Sequence, residues 1–206
     1  MAEGSPSVFF IENYDLNGVE LGWRNFIRPS WLVQSGVRHE TVLPSSRTAD
    51  AGINEFPHRG SQVFGFFELR RSLNPQWDSW LTGRISGGPS DFGFRGELAI
   101  GHQFFRNVNG SAAEIELYTT FSDKEQLNNY FGITQSDAIA FGLAQIDLEG
   151  VYRSSGINAL YRHTFLSKVH GIVTGRLEYY SSGVKKSALV NGGAEASIET
   201  SLLYLF

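Results

Sequence analysis

The fold class is decided by the stretch FGFRGELAIGHQFFR, at residues 92–106, in which the side chains alternate in character. The apolar residues of one parity are Phe92, Phe94, Leu98, Ile100 and Phe104. The polar residues Arg95, Glu97 and Gln103 share the other parity. Successive side chains of a β-strand point to opposite faces. This period of two therefore predicts a strand with one apolar and one polar face.

The same alternation recurs along the chain between turn-forming Gly, Pro, Asn and Asp residues. It predicts ten strands, at residues 7–14, 17–26, 30–41, 60–72, 77–86, 91–106, 110–121, 147–166, 170–182 and 193–206. No helical pattern alternates with these strands, and no long internal repeat is present. We therefore expect an all-β, antiparallel up-and-down chain of about ten strands, within a range of eight to twelve.

The composition excludes several classes of protein. None of the 206 residues is Cys, which excludes disulfide scaffolds, Cys-ligated metals and thiol nucleophiles. The formal net charge of −4 is spread along the chain and leaves no basic footprint for nucleic acid. No apolar run is long enough for a transmembrane helix. The length suits one domain, residues 1–206, whose native N-terminus is expected to be truncated or to have lost a signal peptide.

The polar parity of the predicted strands carries Arg and Glu but no Lys. Its seven Arg and eight Glu are Glu20, Arg24, Arg38, Glu40, Glu68, Arg70, Arg84, Arg95, Glu97, Glu114, Glu116, Arg162, Arg176, Glu178 and Glu199. Such rows suit a confined lumen, because the planar Arg fork pairs bidentately with carboxylates. This pattern favours a transmembrane β-barrel with lipid on its apolar face. A soluble sandwich with a solvated polar face is the alternative, since its strands alternate too.

Strand length and the C-terminus also favour a membrane barrel. The predicted strands 91–106 and 147–166 exceed the ~5–6 residues usual in soluble sheets and reach the ~9–11 that cross a bilayer. The chain ends on an alternating segment with Leu202, Tyr204 and Phe206 on one parity. This ending is similar to the C-terminal signal of bacterial outer-membrane barrels, which implies the barrel-assembly machinery as a partner.

The lengths of the links predict which end of the barrel faces which compartment. The turns at 26–30, 72–77, 106–110 and 166–170 are short, whereas the links at 41–59, 121–146 and 183–192 are long. Successive links of an up-and-down barrel lie at alternate ends. With the C-terminus on the periplasmic side, the short turns become periplasmic and the long links extracellular. The 86–91 link falls on the extracellular side although it is short.

The link at 121–146 contains a segment, NYFGITQSDAIAFGL at residues 129–143, that resembles the MipA/OmpV family of outer-membrane proteins. In that family a YFGV step precedes an acidic-Ala segment and SGL, and Tyr130, Phe131 and Gly132 match the first step. Phe141 stands where the family usually has Ser. The last outer loop also lacks the family's DSP-type motif. The resemblance covers residues 90–206 and is weaker before them.

The resemblance implies an outer-membrane scaffold in the Gram-negative cell envelope. The chain is similar to an adaptor that links a lytic transglycosylase to a penicillin-binding synthase during peptidoglycan remodelling. We therefore expect a non-enzymatic scaffold or adaptor in the lipid bilayer of the outer membrane, with these two enzymes as candidate partners. A narrow pore for small solutes and a role linked to osmotic or envelope stress are the alternatives.

The residue patterns do not point to catalysis or to a cofactor. The five His residues lack a metal-binding spacing, no Ser lies in a G-x-S-x-G elbow, and no phosphate-binding loop is present. Charge pairing with lumen Arg accounts for Glu114 and Glu116 on one face. We expect no metal, no cofactor and no enzymatic activity. An enzyme acting on lipid or lipopolysaccharide and a soluble lipocalin-like binder are the hypotheses from other classes.

Overall fold

The chain forms one antiparallel sheet in a computed structural model that describes residues 8–15, 18–41, 61–89, 92–108, 110–166, 169–190 and 192–204. Within these ranges the side chains of residues 8–15, 18, 40, 41, 61, 166, 199 and 201–204 lie outside the description. The strands are β1 (Val8–Asp15), β2 (Gly18–Arg28), β3 (Trp31–Thr41), β4 (Ser61–Ser72), β5 (Ser79–Gly87), β6 (Phe94–Arg106), β7 (Ala112–Ser122), β8 (Tyr152–Leu166), β9 (Val169–Tyr180) and β10 (Ala194–Tyr204). Each pairs with its neighbours in sequence, in the order β1 to β10. The predicted all-β, antiparallel up-and-down architecture is confirmed.

The long link between β7 and β8 contains two helices that the alternation did not predict. Helix α1 (Lys124–Phe131) begins at Asp123, whose carboxylate accepts a hydrogen bond from the backbone N–H of Gln126. Helix α2 (Gln135–Phe141) begins with a capping box between Thr134 and Asp137. It ends at Gly142, whose φ of 66° is the left-handed conformation that glycine adopts at low cost. No helix in the described ranges is long and apolar enough to cross a membrane.

Strand β8 begins at Tyr152, not at residue 147 as the alternation predicted. The preceding segment packs on α1, because the side chain of Asn128 holds Leu148 through two hydrogen bonds. The Leu148 N–H donates to Asn128 Oδ1 at 2.7 Å, and Asn128 Nδ2 donates to the Leu148 carbonyl at 3.0 Å. Leu148 is therefore buried beneath the helix instead of extending the strand.

The sheet is strongly curled, with its polar face on the concave side. The Arg84 side chain on β5 contacts the Glu20 carboxylate on β2, three strands away. On a flat sheet those strands lie about 14 Å apart at ~4.8 Å per strand. Arg176 on β9 also reaches across β8 to the Tyr118 hydroxyl on β7, at 2.8 Å. We call the concave side the inner face and the convex side the outer face.

Short and long links lie at opposite ends of the sheet, as the strand order requires. One end carries the turns between β2 and β3, β4 and β5, β6 and β7, and β8 and β9. The other end carries the link with α1 and α2 and the short 3-10 helix Val184–Lys186 between β9 and β10. The predicted link 41–59, apart from Thr41, and Phe206 lie outside the described residues. Leu202 and Tyr204 lie on β10, in register with Gly171 and Val169, but their side chains are not described.

Candidate functional site

The burial of the two faces is inverted relative to a sheet in a water-soluble protein. On the inner face, Glu20, Arg38, Glu68 and Glu178 are only 3–6% exposed. Apolar side chains on the outer face are 37–79% exposed, and they are Val19, Leu21, Val37, Val63, Phe67, Leu81, Ile85, Leu98, Ile100, Ile115, Leu117, Ile157, Val173 and Ile198. Soluble proteins seldom bury Arg and Glu while leaving so many branched apolar residues uncovered.

Arg84 is the centre of the buried charges on the inner face. It contacts the Glu20 carboxylate, and its Nη1 lies 3.5 Å from Glu68 Oε2. Its guanidinium also lies 4.3 Å from the centre of the Phe66 ring. Arg38 Nη1 approaches Glu20 from the neighbouring strand at 3.9 Å. One arginine thus satisfies two carboxylates that would each be costly to bury alone.

A series of hydrogen bonds and charge contacts extends from Glu68 towards the short turns. Gln34 Nε2 donates to Glu68 Oε1 at 2.8 Å, and Arg24 Nε donates to Gln34 Oε1 at the same distance. Arg70 Nη2 lies 3.4 Å from Glu68 Oε1, and its guanidinium stacks on the Trp80 ring. The Trp80 ring N–H in turn donates to Glu116 Oε2 at 3.3 Å. These contacts join strands β2 to β7 across the inner face.

A separate group of inner-face contacts involves β6 to β9. Arg95 Nη2 lies 3.3 Å from Glu97 Oε2, and Arg176 Nη2 lies 3.0 Å from Glu178 Oε2. Ser154 Oγ donates to Glu178 Oε1 at 2.5 Å. The Arg95–Glu97 pair also lines a small cavity with Arg38, Arg84 and Ser86. The two groups of charges therefore meet at this cavity.

The structure does not bring every residue of the predicted network together. Glu114 accepts a hydrogen bond from Gln103 at 3.1 Å, and Arg162 Nε donates to the Gly110 carbonyl at 3.2 Å. Both contacts stay close to the turn between β6 and β7. The side chains of Glu40 and Glu199 lie outside the described residues. The role of the whole set as a lumen network stays a prediction.

Replacing Arg95 by Ala is expected to lower the free energy of unfolding by about 1.5–3 kcal/mol, because the largely buried Glu97 carboxylate loses its charged donor. Lys185→Ala, in an exposed segment after β9, should change it by less than about 0.5 kcal/mol. Urea unfolding in detergent micelles measures both variants. Equal midpoints for the two would contradict the assignment of Arg95 to a buried, paired position.

The two links at the long-link end pack into what we call the cap, residues 123–151 and 181–190. Its core consists of Leu127, Phe131, Leu148 and Val184, packed against Tyr180 at the end of β9. Ser187 Oγ donates to the Phe131 carbonyl at 2.5 Å and so joins the two links. At the exposed edge, Lys124 Nζ donates to Asp147 Oδ2 at 2.7 Å, and this hydrogen bond raises the pKa of Lys124.

Arg153, which the sequence did not single out, anchors the cap to the sheet. It is 7% exposed, and its guanidinium lies 4.9 Å from the Tyr130 ring centre and 5.0 Å from that of Phe131. A β-bulge explains the omission, because Thr120 pairs with Ser154 whereas Phe121 pairs with Tyr152. The extra residue, Arg153, turns inward, although its parity matches the exposed Ile157.

Each residue of the Tyr130-Phe131-Gly132 motif has a structural role in the cap. Tyr130 and Phe131 stack on Arg153 from the end of α1. Gly132 follows at the position where the chain leaves the helix, and a Cβ atom there would lie 2.6 Å from Asn128 Oδ1 and 2.8 Å from its carbonyl oxygen. The motif thus shapes the cap, which is a sufficient structural reason for it.

Gly132→Ala is expected to loosen the cap, because the added methyl group must displace the Asn128 backbone or side chain. Overpacking of this kind costs about 1–3 kcal/mol, which raises the open population about fivefold or more. Limited proteolysis within residues 123–151 measures the opening. Gln135→Ala, at an exposed position of α2, is the control and should leave the cleavage rate unchanged. Unchanged cleavage of Gly132→Ala would contradict this packing.

The described residues contain no group of three His, Asp or Glu side chains arranged to hold a metal ion. Two His residues of the sheet instead make local contacts. His102 Nδ1 lies 2.8 Å from Ser79 Oγ, and His170 Nδ1 lies 2.9 Å from Thr164 Oγ1. His58 lies outside the described residues.

Comparison with known protein families finds a match that covers both the sheet and the cap. A family model described as MltA-interacting protein MipA matches residues 13–206. The match includes all of β2 to β10 and both parts of the cap. The match confirms the family resemblance that the motif Tyr130-Phe131-Gly132 indicates. It extends that resemblance over almost the whole chain. No curated protein matches the sequence.

Proposed function

We propose that this chain, which belongs to the MltA-interacting protein MipA family, is an outer-membrane β-barrel that works as a non-enzymatic adaptor. The observation that carries the membrane part is the inverted burial of the sheet. An outer face of exposed Leu, Ile, Val and Phe fits lipid, and an inner face of paired Arg and Glu fits an enclosed lumen. Strands β2 to β10 contain 9–15 residues, enough to cross a bilayer at a tilt.

The family name supports a partner in peptidoglycan remodelling. MltA is a lytic transglycosylase, and we extend the proposed assembly to a penicillin-binding synthase. Insertion of the barrel would use the barrel-assembly machinery of a Gram-negative cell. The contacts from Glu20 to Glu116 occupy the inner face with side chains, which favours a filled scaffold over an open pore.

The adaptor proposal is tested by capture of a purified MltA-type lytic transglycosylase on the immobilised, detergent-refolded chain. The enzyme acts on the periplasmic side, so we expect it to bind the short-turn end. Val108→Asp, at the fully exposed tip of the turn between β6 and β7, should weaken capture. Ile139→Asp changes another exposed apolar residue, in α2 at the opposite end, and as the matched control it should leave capture unchanged.

Three outcomes separate the candidate functions. Capture that is lost on boiling the chain supports the adaptor. Equal weakening by Val108→Asp and Ile139→Asp would contradict binding at the short-turn end. No capture, together with stable unitary conductance steps in a planar bilayer, would overturn the adaptor in favour of the narrow pore.

A further inference from the structure

A row of cationic and aromatic side chains crosses three strands where the apolar outer face ends near the short turns. Arg28 on β2 is in register with Trp31 on β3, and Trp31 is in register with Arg71 on β4. Directly paired residues of antiparallel strands point to the same face of the sheet. Arg71 has the parity of the exposed Val63 and Phe67, which places the whole row on the outer face.

A β-bulge puts Arg28 into this row. Phe26 pairs with Leu32 whereas Arg28 pairs with Trp31, so Ile27 is the extra residue of β2. Without the bulge, Arg28 would share the parity of Glu20 and face inward. The chain thus moves a cation from the paired inner face to a mainly apolar outer face, where a long Arg side chain can reach the membrane surface.

The guanidinium N–H groups of Arg28 and Arg71 are available to bind a ligand. Both arginines are exposed, and neither makes an ion pair with a carboxylate within the part of the chain that the structure describes. The Arg71 guanidinium stacks on Trp31 with its centre 5.3 Å from the ring. Stacking uses the flat face of the guanidinium and leaves its in-plane N–H groups available for a planar or tetrahedral oxyanion.

The neighbouring turns hold the row in place. The Trp77 ring N–H donates to the Pro29 carbonyl at 3.0 Å, which joins the turn after β4 to the turn after β2. The same ring meets Phe26 edge to face, with ring centres 5.4 Å apart. Trp31, flanked by Arg28 and Arg71, lies at the edge of the apolar outer face. This composition is expected where a protein surface meets lipid headgroups.

We propose that Arg28, Trp31 and Arg71 form a binding site for the phosphate of an anionic phospholipid in the leaflet at the short-turn end. The site rests on the membrane embedding proposed above. The guanidinium N–H groups would bind the phosphate oxygens, the indole would lie at headgroup depth, and the acyl chains would run along the outer face past Phe67. The ligand is thereby a lipid and not a soluble anion.

Tryptophan fluorescence in vesicles tests this site directly, because Trp31 belongs to it. The refolded chain is placed in phosphatidylcholine vesicles that contain either brominated phosphatidylglycerol or brominated phosphatidylcholine at equal mole fraction. The quenching lost in Trp31→Phe isolates the Trp31 signal from the other three Trp residues. We expect stronger quenching by the anionic lipid. In the double variant Arg28→Gln/Arg71→Gln, the preference of the site for anionic over zwitterionic lipid should fall by about fivefold for each arginine removed.

The double variant Lys185→Gln/Lys186→Gln removes the same charge from the opposite end and should keep the preference. Equal quenching by the two brominated lipids in the unchanged chain would overturn the lipid site and leave the barrel intact. A preference that survives in Arg28→Gln/Arg71→Gln would also overturn it. Quenching by neither lipid would instead contradict membrane embedding, and with it the proposed function.

Discussion

Replacing Arg84 by Ala is expected to lower the free energy of unfolding by about 3–5 kcal/mol. The change leaves the Glu20 and Glu68 carboxylates, which are 3% and 6% exposed, without their shared cation. It also removes the guanidinium from the face of the Phe66 ring. Urea unfolding of the detergent-refolded chain, followed by tryptophan fluorescence, measures the loss.

Two comparisons make the Arg84 result specific. Arg106→Ala removes an exposed arginine and should change stability by less than about 0.5 kcal/mol. Adding Glu20→Gln to Arg84→Ala should recover part of the loss, since it neutralises a buried carboxylate that the first change left with the more distant Arg38 in place of Arg84. If Arg84→Ala were no more damaging than Arg106→Ala, the inner face would be a solvated surface.

Leu117→Arg is the second change with a large expected effect, because it places a charge in the middle of the outer face. Leu117 lies at the centre of β7, is 51% exposed and is in register with Ile100 and Ile157. An Arg on the lipid face of a barrel near the bilayer midplane costs about 2–4 kcal/mol. On a water-exposed sheet the same change would cost almost nothing.

The Leu117→Arg experiment compares urea midpoints in phospholipid vesicles. Ile139→Arg is the matched control, because Ile139 is 77% exposed but lies in α2 of the cap, outside the strands. We expect a large loss for Leu117→Arg and none for Ile139→Arg. A Leu117→Arg chain as stable as the unchanged one would show that the outer face does not meet lipid.

The strands were predictable from the sequence because side-chain direction on a strand depends only on parity. Residues 92–106 show this best, since Leu98 and Ile100 are exposed while Arg95 and Glu97 are largely buried on the opposite face. The identity of the inner-face charges follows from the same rule. The pairing of each carboxylate with a particular arginine does not follow from parity, because those contacts depend on how tightly the sheet curls. The Arg84–Glu20 contact across three strands is the clearest case.

What the sequence did not predict depends on departures from regular geometry. Arg153 and Arg28 both owe their direction to a β-bulge, and one extra residue reverses the face that parity assigns. Helices α1 and α2 contain only 8 and 7 residues, too few for a helical period to emerge. The alternation wrongly places Leu148 in a strand. Its position beneath α1 depends on Asn128, twenty residues earlier, and a local pattern does not register that contact.

Electrophoretic mobility of the detergent-refolded chain, with and without boiling, tests the central claim that this sheet is a closed membrane barrel. The far-UV spectrum of the same sample establishes that the chain is folded as β-structure. We predict a β spectrum and a band that migrates differently before and after boiling, because a closed barrel keeps its fold in detergent until it is heated. A chain that folds in water without detergent and shows a single mobility would contradict the claim.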